Sequence, residues 1–477
     1  MRHTLLLFCL AITTCLSAQT VVDISPLGSI SKQVLTDSYG FVIQNGVTMH
    51  KVTYTTPDVF GVQDTASGLL VLPEDNTKAY PGLIYHHGTI DNKQDVPSNL
   101  AGGYQLATLF GGAGYVTVAP DFLGLGESRG FQLYVHADTE ASASVDMYRA
   151  LRTYAEDNDL FYLNEQLFLT GYSQGGHASM ASQRLINQEL SDDITVTAAA
   201  HLSGPYSISE AMIESTLGDE PFFFGAYIAN VLLSYQLAYG NIYNELVDVF
   251  RPQYVPLVEQ YRDGEIGLFV LNDSINNRLL AEYGEVVPSR ILQDSTVQAA
   301  RTLPAGHPIA EALIDNDVYD FVPTAPTRLY YCMADDQVTF RNAIIADSAF
   351  AANGAVDIVQ AFDVNSNADH GGCVSPAVTS TIIFFGQYRQ TSTDTEAAAA
   401  LAGLSVQPNP VGDVAEVYVP AGAPTVWTLY TATGRLIDQR RFAPGTHRIE
   451  VGHLPSGVYF ALVDRGDARR TLKLVKR

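Results

Sequence analysis

A chain of 477 residues with 51 acidic against 27 basic side chains carries a formal net charge of −24 at pH 7. So acidic a chain argues against nucleic acid or an anionic membrane as a partner, because phosphates and lipid headgroups repel it. At roughly 100–200 residues per domain, the length exceeds one ordinary domain. The charge is uneven: residues 19–395 hold sixteen Lys/Arg against forty-four Asp/Glu, whereas from residue 402 onward ten Lys/Arg face six Asp/Glu.

The chain opens "MRHTLLLFCLAITTCLSAQT", a basic residue, an apolar run and then small residues. This is the pattern of a secretory signal over residues 1–18, cleaved after Ala18. A membrane anchor is the competing reading, but the run is too short, and Thr14 is a poor residue to precede a lipidated Cys15. No other stretch has the length of a transmembrane segment. Without the signal only Cys332 and Cys373 remain. An even count in an oxidising compartment reads as one disulfide, with two buried free thiols as the alternative.

"VTMHKVTYTT" and "ASGLLVLP" alternate in the manner of antiparallel strands. From "PGLIYHHGT" the rhythm becomes apolar strand, loop, helix. "YVTVAPDF", "EQLFLTGYS" and "ITVTAAAHLSG" are strands, and "ASASVDMYRALRTYAED" and "GGHASMASQRLINQEL" are helices. Such alternation predicts a parallel sheet covered on both faces. Residues 206–320 break the rhythm with helical, aromatic-rich sequence, a cap insertion at the carboxyl ends of the strands. It reads as a lid or acyl-binding cap, or as an ordinary helical core. The alternation resumes with the strand "TRLYY", a helix at "RNAIIADSAFAANG", the strand "VDIVQAFDV" and a closing helix "SPAVTSTIIFFGQYRQ". Residues 19–390 thus form one α/β domain. A polar, small-residue linker over 391–401 leads to 402–477, where "EVYVP", "TVWTLYTATGRLI", "HRIEV", "GVYFALV" and "RTLKLVK" predict a small all-β sandwich.

Within "FLTGYSQGGH", Gly171, Ser173 and Gly175 fit G-x-S-x-G at a strand-to-helix turn. A chance Gly/Ser turn is the plain alternative. A serine is a poor nucleophile unless a base takes its proton and a third group orients that base. "CMADDQV" follows one strand and "NSNADHGGC" the next, so Asp335 or Asp336 and His370 lie at successive strand ends, His370 in a loop. The spacing A-D-x-x-V favours Asp335. His177 would point away along its helix, and neither His201 nor His307 has comparable loop chemistry. The oxyanion donors expected are the backbone N–H of Gln174 and that of Gly88 or Thr89. His86 and His87 lack a third ligand at useful spacing, so no metal and no cofactor is expected. If Asp335 and His370 meet, Cys332 and Cys373, three residues before and after them, run side by side within disulfide reach.

"HHGT", "PDFLGLG", "GYSQGG", "ADDQV" and "DHGG", in that order, resemble the α/β-hydrolase superfamily, most closely its secretory lipase-like branch. The likeness spans roughly residues 45–390. It implies an eight-stranded, mostly parallel sheet and hydrolysis of carboxylic esters through an acyl-enzyme. Ser173, Asp335 and His370 match nucleophile, acid and base. "QPNP", "LYTATGRLI", "LPSGVYFALV" and the terminal "TLKLVKR" resemble a type IX secretion sorting domain. That implies the type IX machinery as a partner and a secreted or surface protein exported through the periplasm. A carbohydrate-binding sandwich is the alternative for the tail; its sole tryptophan, Trp427, lies in a strand. A serine peptidase, or a non-catalytic adhesion protein, stands as the alternative for the whole.

Overall fold

A computed structural model describes residues 19–390 except 76, 77 and 159, and 401–477 except 402, 403, 433, 434, 466 and 467. The expected signal and most of the linker lie outside these residues. The body is a nine-stranded sheet of order β1-β2-β3-β5-β4-β6-β7-β8-β9. Its strands are β1 (Val21–Ile30), β2 (Val47–Pro57), β3 (Gln63–Pro73), β4 (Ala79–His86), β5 (Val116–Pro120), β6 (Tyr162–Tyr172), β7 (Val196–Leu202), β8 (Thr327–Tyr331) and β9 (Val359–Asp363). β1, β2, β3 and β5 pair antiparallel, and β5-β4-β6-β7-β8-β9 are parallel.

The ninth strand is β1, which the sequence reading omitted. Its "VVDISPLGSI" alternates weakly and none of its residues is fully buried, because it is an edge strand on only one neighbour. A strand that covers little core carries little periodic signal.

Successive residues of the parallel strands face opposite layers. Leu83, Phe168 and Ala198 pack with Leu35 of α1 (Lys32–Tyr39), Phe110 of α2 (Tyr104–Gly112) and a C-terminal helix described below. Ile84, Leu169 and Ala199 pack with Tyr148 of α3 (Ala137–Asn158) and Ile186 of α4 (Gln174–Glu189). Runs this apolar are what a sheet covered on both faces requires.

Between β7 and β8 stands the helical insertion: α5 (Ile213–Thr216), α6 (Ala226–Tyr239), α7 (Val255–Arg262), α8 (Leu268–Tyr283), α9 (Asp294–Thr302) and α10 (Pro308–Asp315). It has its own core, in which Tyr235, Phe250, Tyr254, Leu271 and Ile275 are buried, and Tyr134 and Val135 of the body join it. α11 (Arg341–Ala352) and α12 (His370–Phe385) complete the body. α12 begins five residues before the closing helix read from the sequence. Asp369 is the cause: its side chain accepts from Gly372 N at 2.7 Å and caps the helix.

The C-terminal region forms two antiparallel sheets, β10-β11-β14 and β13-β12-β15-β16. The strands are β10 (Ser405–Gln407), β11 (Val414–Val419), β12 (Thr425–Thr431), β13 (Leu436–Phe442), β14 (Gly445–Glu450), β15 (Gly457–Arg465) and β16 (Ala468–Lys476). "TVWTLYTATGRLI", read as one strand, divides between β12 and β13, which pair as a hairpin. Trp427 is 1% exposed and lies in the core between the sheets, so it offers no platform to a sugar.

Cys332, after β8, and Cys373, in the first turn of α12, form a disulfide with a Cα–Cα distance of 5.9 Å and a sequence separation of 41. In the chain-entropy account, closing a loop of this length stabilises by about 3–4 kcal/mol. Replacing both cysteines with alanine should lower the unfolding free energy by an amount of that order. Urea titrations of the variant and the oxidised chain measure the difference; coincident curves would deny the bridge any stabilising part.

Candidate active site

The parallel block reverses its winding between β4 and β6, and the loops after these two strands diverge there. Open α/β sheets bind ligands at such a switch point. β6 passes into α4 with only Ser173 between them, and that residue has φ 61° and ψ −125°. A side chain rarely adopts this backbone, and it persists where the surroundings leave no alternative. Glycines make the surroundings possible. A Cβ on Gly171 would lie 2.2 Å from Gly175 O, and one on Gly175 2.0 Å from His86 O. Gly176, not singled out from the sequence, is equally constrained: its Cβ would lie 2.7 Å from Leu202 O.

Ser173 Oγ is 2.9 Å from His370 Nε2, and His370 Nδ1 is 2.7 Å from Asp335 Oδ2. The facing carboxylate requires the proton on Nδ1, which leaves Nε2 to accept from the serine hydroxyl. Asp335 Oδ1 accepts from the N–H groups of Gln337 at 3.0 Å and Val338 at 2.8 Å, so both carboxylate oxygens are held. Asp336 meets the backbone of the histidine instead of its ring, and its Oδ1 accepts from His370 N at 3.1 Å. His370 is not in a loop, as expected, but is the first residue of α12. Its carbonyl accepts from Tyr172 Oη, and the disulfide lies one turn on.

Gln174 is the first residue of α4, where backbone N–H groups have no intrahelical partner. Gly88 stands beside the serine: a Cβ there would lie 3.5 Å from that of Ser173. Thr89 Oγ1 is 2.9 Å from Tyr134 Oη. The other histidines weighed in the sequence analysis are occupied within the fold. His86 bonds Thr170 O and Ser182 Oγ, His87 bonds Gly88 O and Asp121 O, and His201 bonds Ser179 Oγ and Gln183 Oε1. His307 caps α10. His177 bonds Glu140 and Asn316, two residues the sequence reading passed over. The signal for Glu140 was a lone carboxylate in "TEASAS", a run of small residues that packs closely. Among the described residues no group of three or more His, Cys, Asp or Glu side chains is arranged to hold a metal ion.

From Ser173 and Gln174 a cavity of about 90 Å³ runs into the cap. Its walls include Ile208, Leu232, Ile309 and Leu313, together with Tyr134 and Tyr227. Tyr227 Oη donates to Gln337 Oε1 at 2.8 Å and so joins the cap to the loop of Asp335.

This sheet, turn and cap give the body the α/β-hydrolase fold, and a C-terminal sorting domain follows it in the chain. Residues 405–477 match the secretion system C-terminal sorting domain, which marks a secreted or cell-surface protein and implies the type IX secretion machinery as its partner. The chain is similar to a Legionella pneumophila protein named only as a hydrolase, at 26% identity and TM-score 0.69 over 77% of this chain and 98% of that one. It is also similar to LipA, a rice cell wall degrading esterase of Xanthomonas oryzae, at 26% identity and TM-score 0.66 over 78% and 98%. Candida antarctica lipase A shares the fold at 15% identity, with TM-score 0.57 over 77% and 81%. No curated protein matches the sequence. Among the described residues no helix is long and apolar enough to cross a membrane.

Burial lowers the pKa of both His86 and His201 to about 3. An unfolded histidine titrates near ~6.5. Above that pH both states are unprotonated here; below it the unfolded chain binds protons that the native one refuses, and stability falls as the pH drops toward 3. His201→Gln removes one such site. Its unfolding free energy should fall less steeply between pH 6 and 4 than that of the unsubstituted chain, by up to about 1.4 kcal/mol per pH unit. Parallel slopes in urea titrations would show that His201 does not titrate this way.

Proposed function

We propose that this chain is an exported serine hydrolase of carboxylic esters with an apolar acyl group, working through an acyl-enzyme. The observation that carries the reading is the unbroken hydrogen-bond line from Ser173 through His370 to Asp335 at the mouth of an apolar cavity. Ser173 Oγ attacks the ester carbonyl while His370 Nε2 takes its proton. Asp335 holds the imidazole in the tautomer that permits this and stabilises the imidazolium that forms. The N–H groups of Gln174 and of Gly88 or Thr89 receive the oxyanion. His370 then gives its proton to the departing alkoxide, which leaves as the alcohol. Water, deprotonated by the same imidazole, attacks the acyl-serine, and collapse releases the carboxylic acid and restores Ser173. The likeness to an esterase at 26% identity supports this substrate class. Export would use residues 1–18 to reach the periplasm and the sorting domain to leave it.

A fluorophosphonate should label Ser173, and hydrolysis of p-nitrophenyl esters from acetate to palmitate should outpace that of aminoacyl-anilides. Ser173→Ala should keep less than about a thousandth of kcat, the scale of triad losses. Asp335→Asn should cost about 10²–10⁴-fold and Asp336→Asn less than about tenfold, since only the former frees the imidazole to take the wrong tautomer. Equal losses would reassign the acid, and an active Ser173→Ala variant would end the serine mechanism.

No residue of this proposed line lies beyond His370. A chain ending at Gln390 should therefore keep full specific activity, yet stop in the periplasm of a type IX-competent cell. Appearance of the shortened enzyme outside the cell would deny the tail its sorting role.

A further inference from the structure

Behind the nucleophile lies a second buried acid–histidine pair that the hydrolytic cycle does not use. Glu140 of α3 is 1% exposed and His177 of α4 is fully buried. Glu140 Oε2 is 2.8 Å from His177 Nδ1. Glu140 Oε1 accepts from Gln174 Nε2 at 2.7 Å and from Val135 N at 3.0 Å. His177 Nε2 is 2.9 Å from the carbonyl of Asn316, a group that only accepts, so Nε2 carries a hydrogen. Asn316, 1% exposed, follows α10 of the cap. Its Oδ1 accepts from Ala137 N at 2.7 Å, and its Nδ2 bonds Tyr239 Oη of α6 at 2.9 Å.

The line therefore runs from the cap, through Asn316, His177 and Glu140, to the side chain of the residue after the nucleophile. Glu140 is the sole polar anchor of that side chain among the described residues, since Gln174 Oε1 has no partner there. The same carboxylate oxygen holds Val135 N, and Val135 and Gln174 both line the cavity. One buried oxygen thus holds two residues of the pocket wall, and one of them, Gln174, is the residue whose N–H is proposed to face the oxyanion.

We infer that Glu140 is a positioning residue for the ester hydrolysis proposed above, on which this assignment rests. It acts through Gln174, holding the first turn of α4 so that its N–H is aimed before substrate arrives, and through His177 it makes that aim depend on the seated cap. Preorganised donors accelerate because they need no rearrangement during reaction.

The test separates positioning from mere stability. Glu140→Leu leaves Gln174 Nε2 and Val135 N–H without an acceptor. Glu140→Gln keeps an oxygen for both and an N–H for a neutral His177. Active sites are counted by fluorophosphonate titration, so that kcat refers to folded enzyme alone. Glu140→Leu should lower kcat by about 10–100-fold with KM within about threefold, less than the roughly 10²–10³ for deleting an oxyanion donor outright. Glu140→Gln should restore kcat to within about threefold. If Glu140→Leu does not fold, Gln174→Met removes the other end of the bond and should give the same loss; where both fold, the double variant should lose no more than the worse single one. Unchanged kcat per titrated site, with only a lower Tm, would overturn the assignment while leaving the hydrolase reading intact. A wild-type chain that neither labels nor hydrolyses esters would overturn both.

Discussion

The backbone at Ser173 is held at φ 61° with a side chain attached, and much of the body is arranged around making that tolerable. Three glycines allow β4, β6, β7 and α4 to approach until backbone touches backbone, with His86 O, Gly175 O and Leu202 O filling the places where Cβ atoms would stand. Such a turn, once over-determined by its surroundings, stays strained without collapsing. It lifts the hydroxyl out of the sheet at the point where the strand order reverses. It also sets the first free N–H of α4 beside that hydroxyl.

Everything that meets the serine is held from two directions. His370 is fixed through its ring by Asp335, through its backbone N–H by Asp336, and through its carbonyl by Tyr172. Asp369 caps the helix it opens, and the disulfide joins that helix to the segment bearing both aspartates. Asp335 and His370 are therefore part of one braced unit, although they come from elements 35 residues apart in sequence. On the other side, Tyr134, Val135 and Gln174 link the turn to the cap, so the apolar cavity and Ser173 share walls.

The sorting domain has a hydrophobic core of its own, and Tyr430 of β12 stacks on Phe41 of the body at 3.8 Å. Its two sheets enclose their own core around Trp427, Val417 and Val463, and its excess of basic residues contrasts with the acidic body. Nothing in the hydrogen-bond line from Ser173 to Asp335 draws on it.

The sequence by itself determined the class of fold, the strained turn at Ser173 and the chain order in which Ser173, Asp335 and His370 stand at strand ends. Each depends on local chemistry: glycines at a crowded turn, apolar runs for a doubly covered sheet, and polar loops at strand ends. It also indicated the disulfide, because two cysteines flanked the residues expected to meet. Tertiary structure alone decided what depends on partners far along the chain. β1 was missed because an edge strand buries too little to show a period, and His370 was placed in a loop because its helix starts on the capping side chain of Asp369. Asp335 and Asp336 are chemically alike, and only the folded loop turns one to the imidazole and the other to the backbone. Glu140, His177 and Asn316 carry no motif: their meaning arises from three elements, up to 179 residues apart, converging behind one serine.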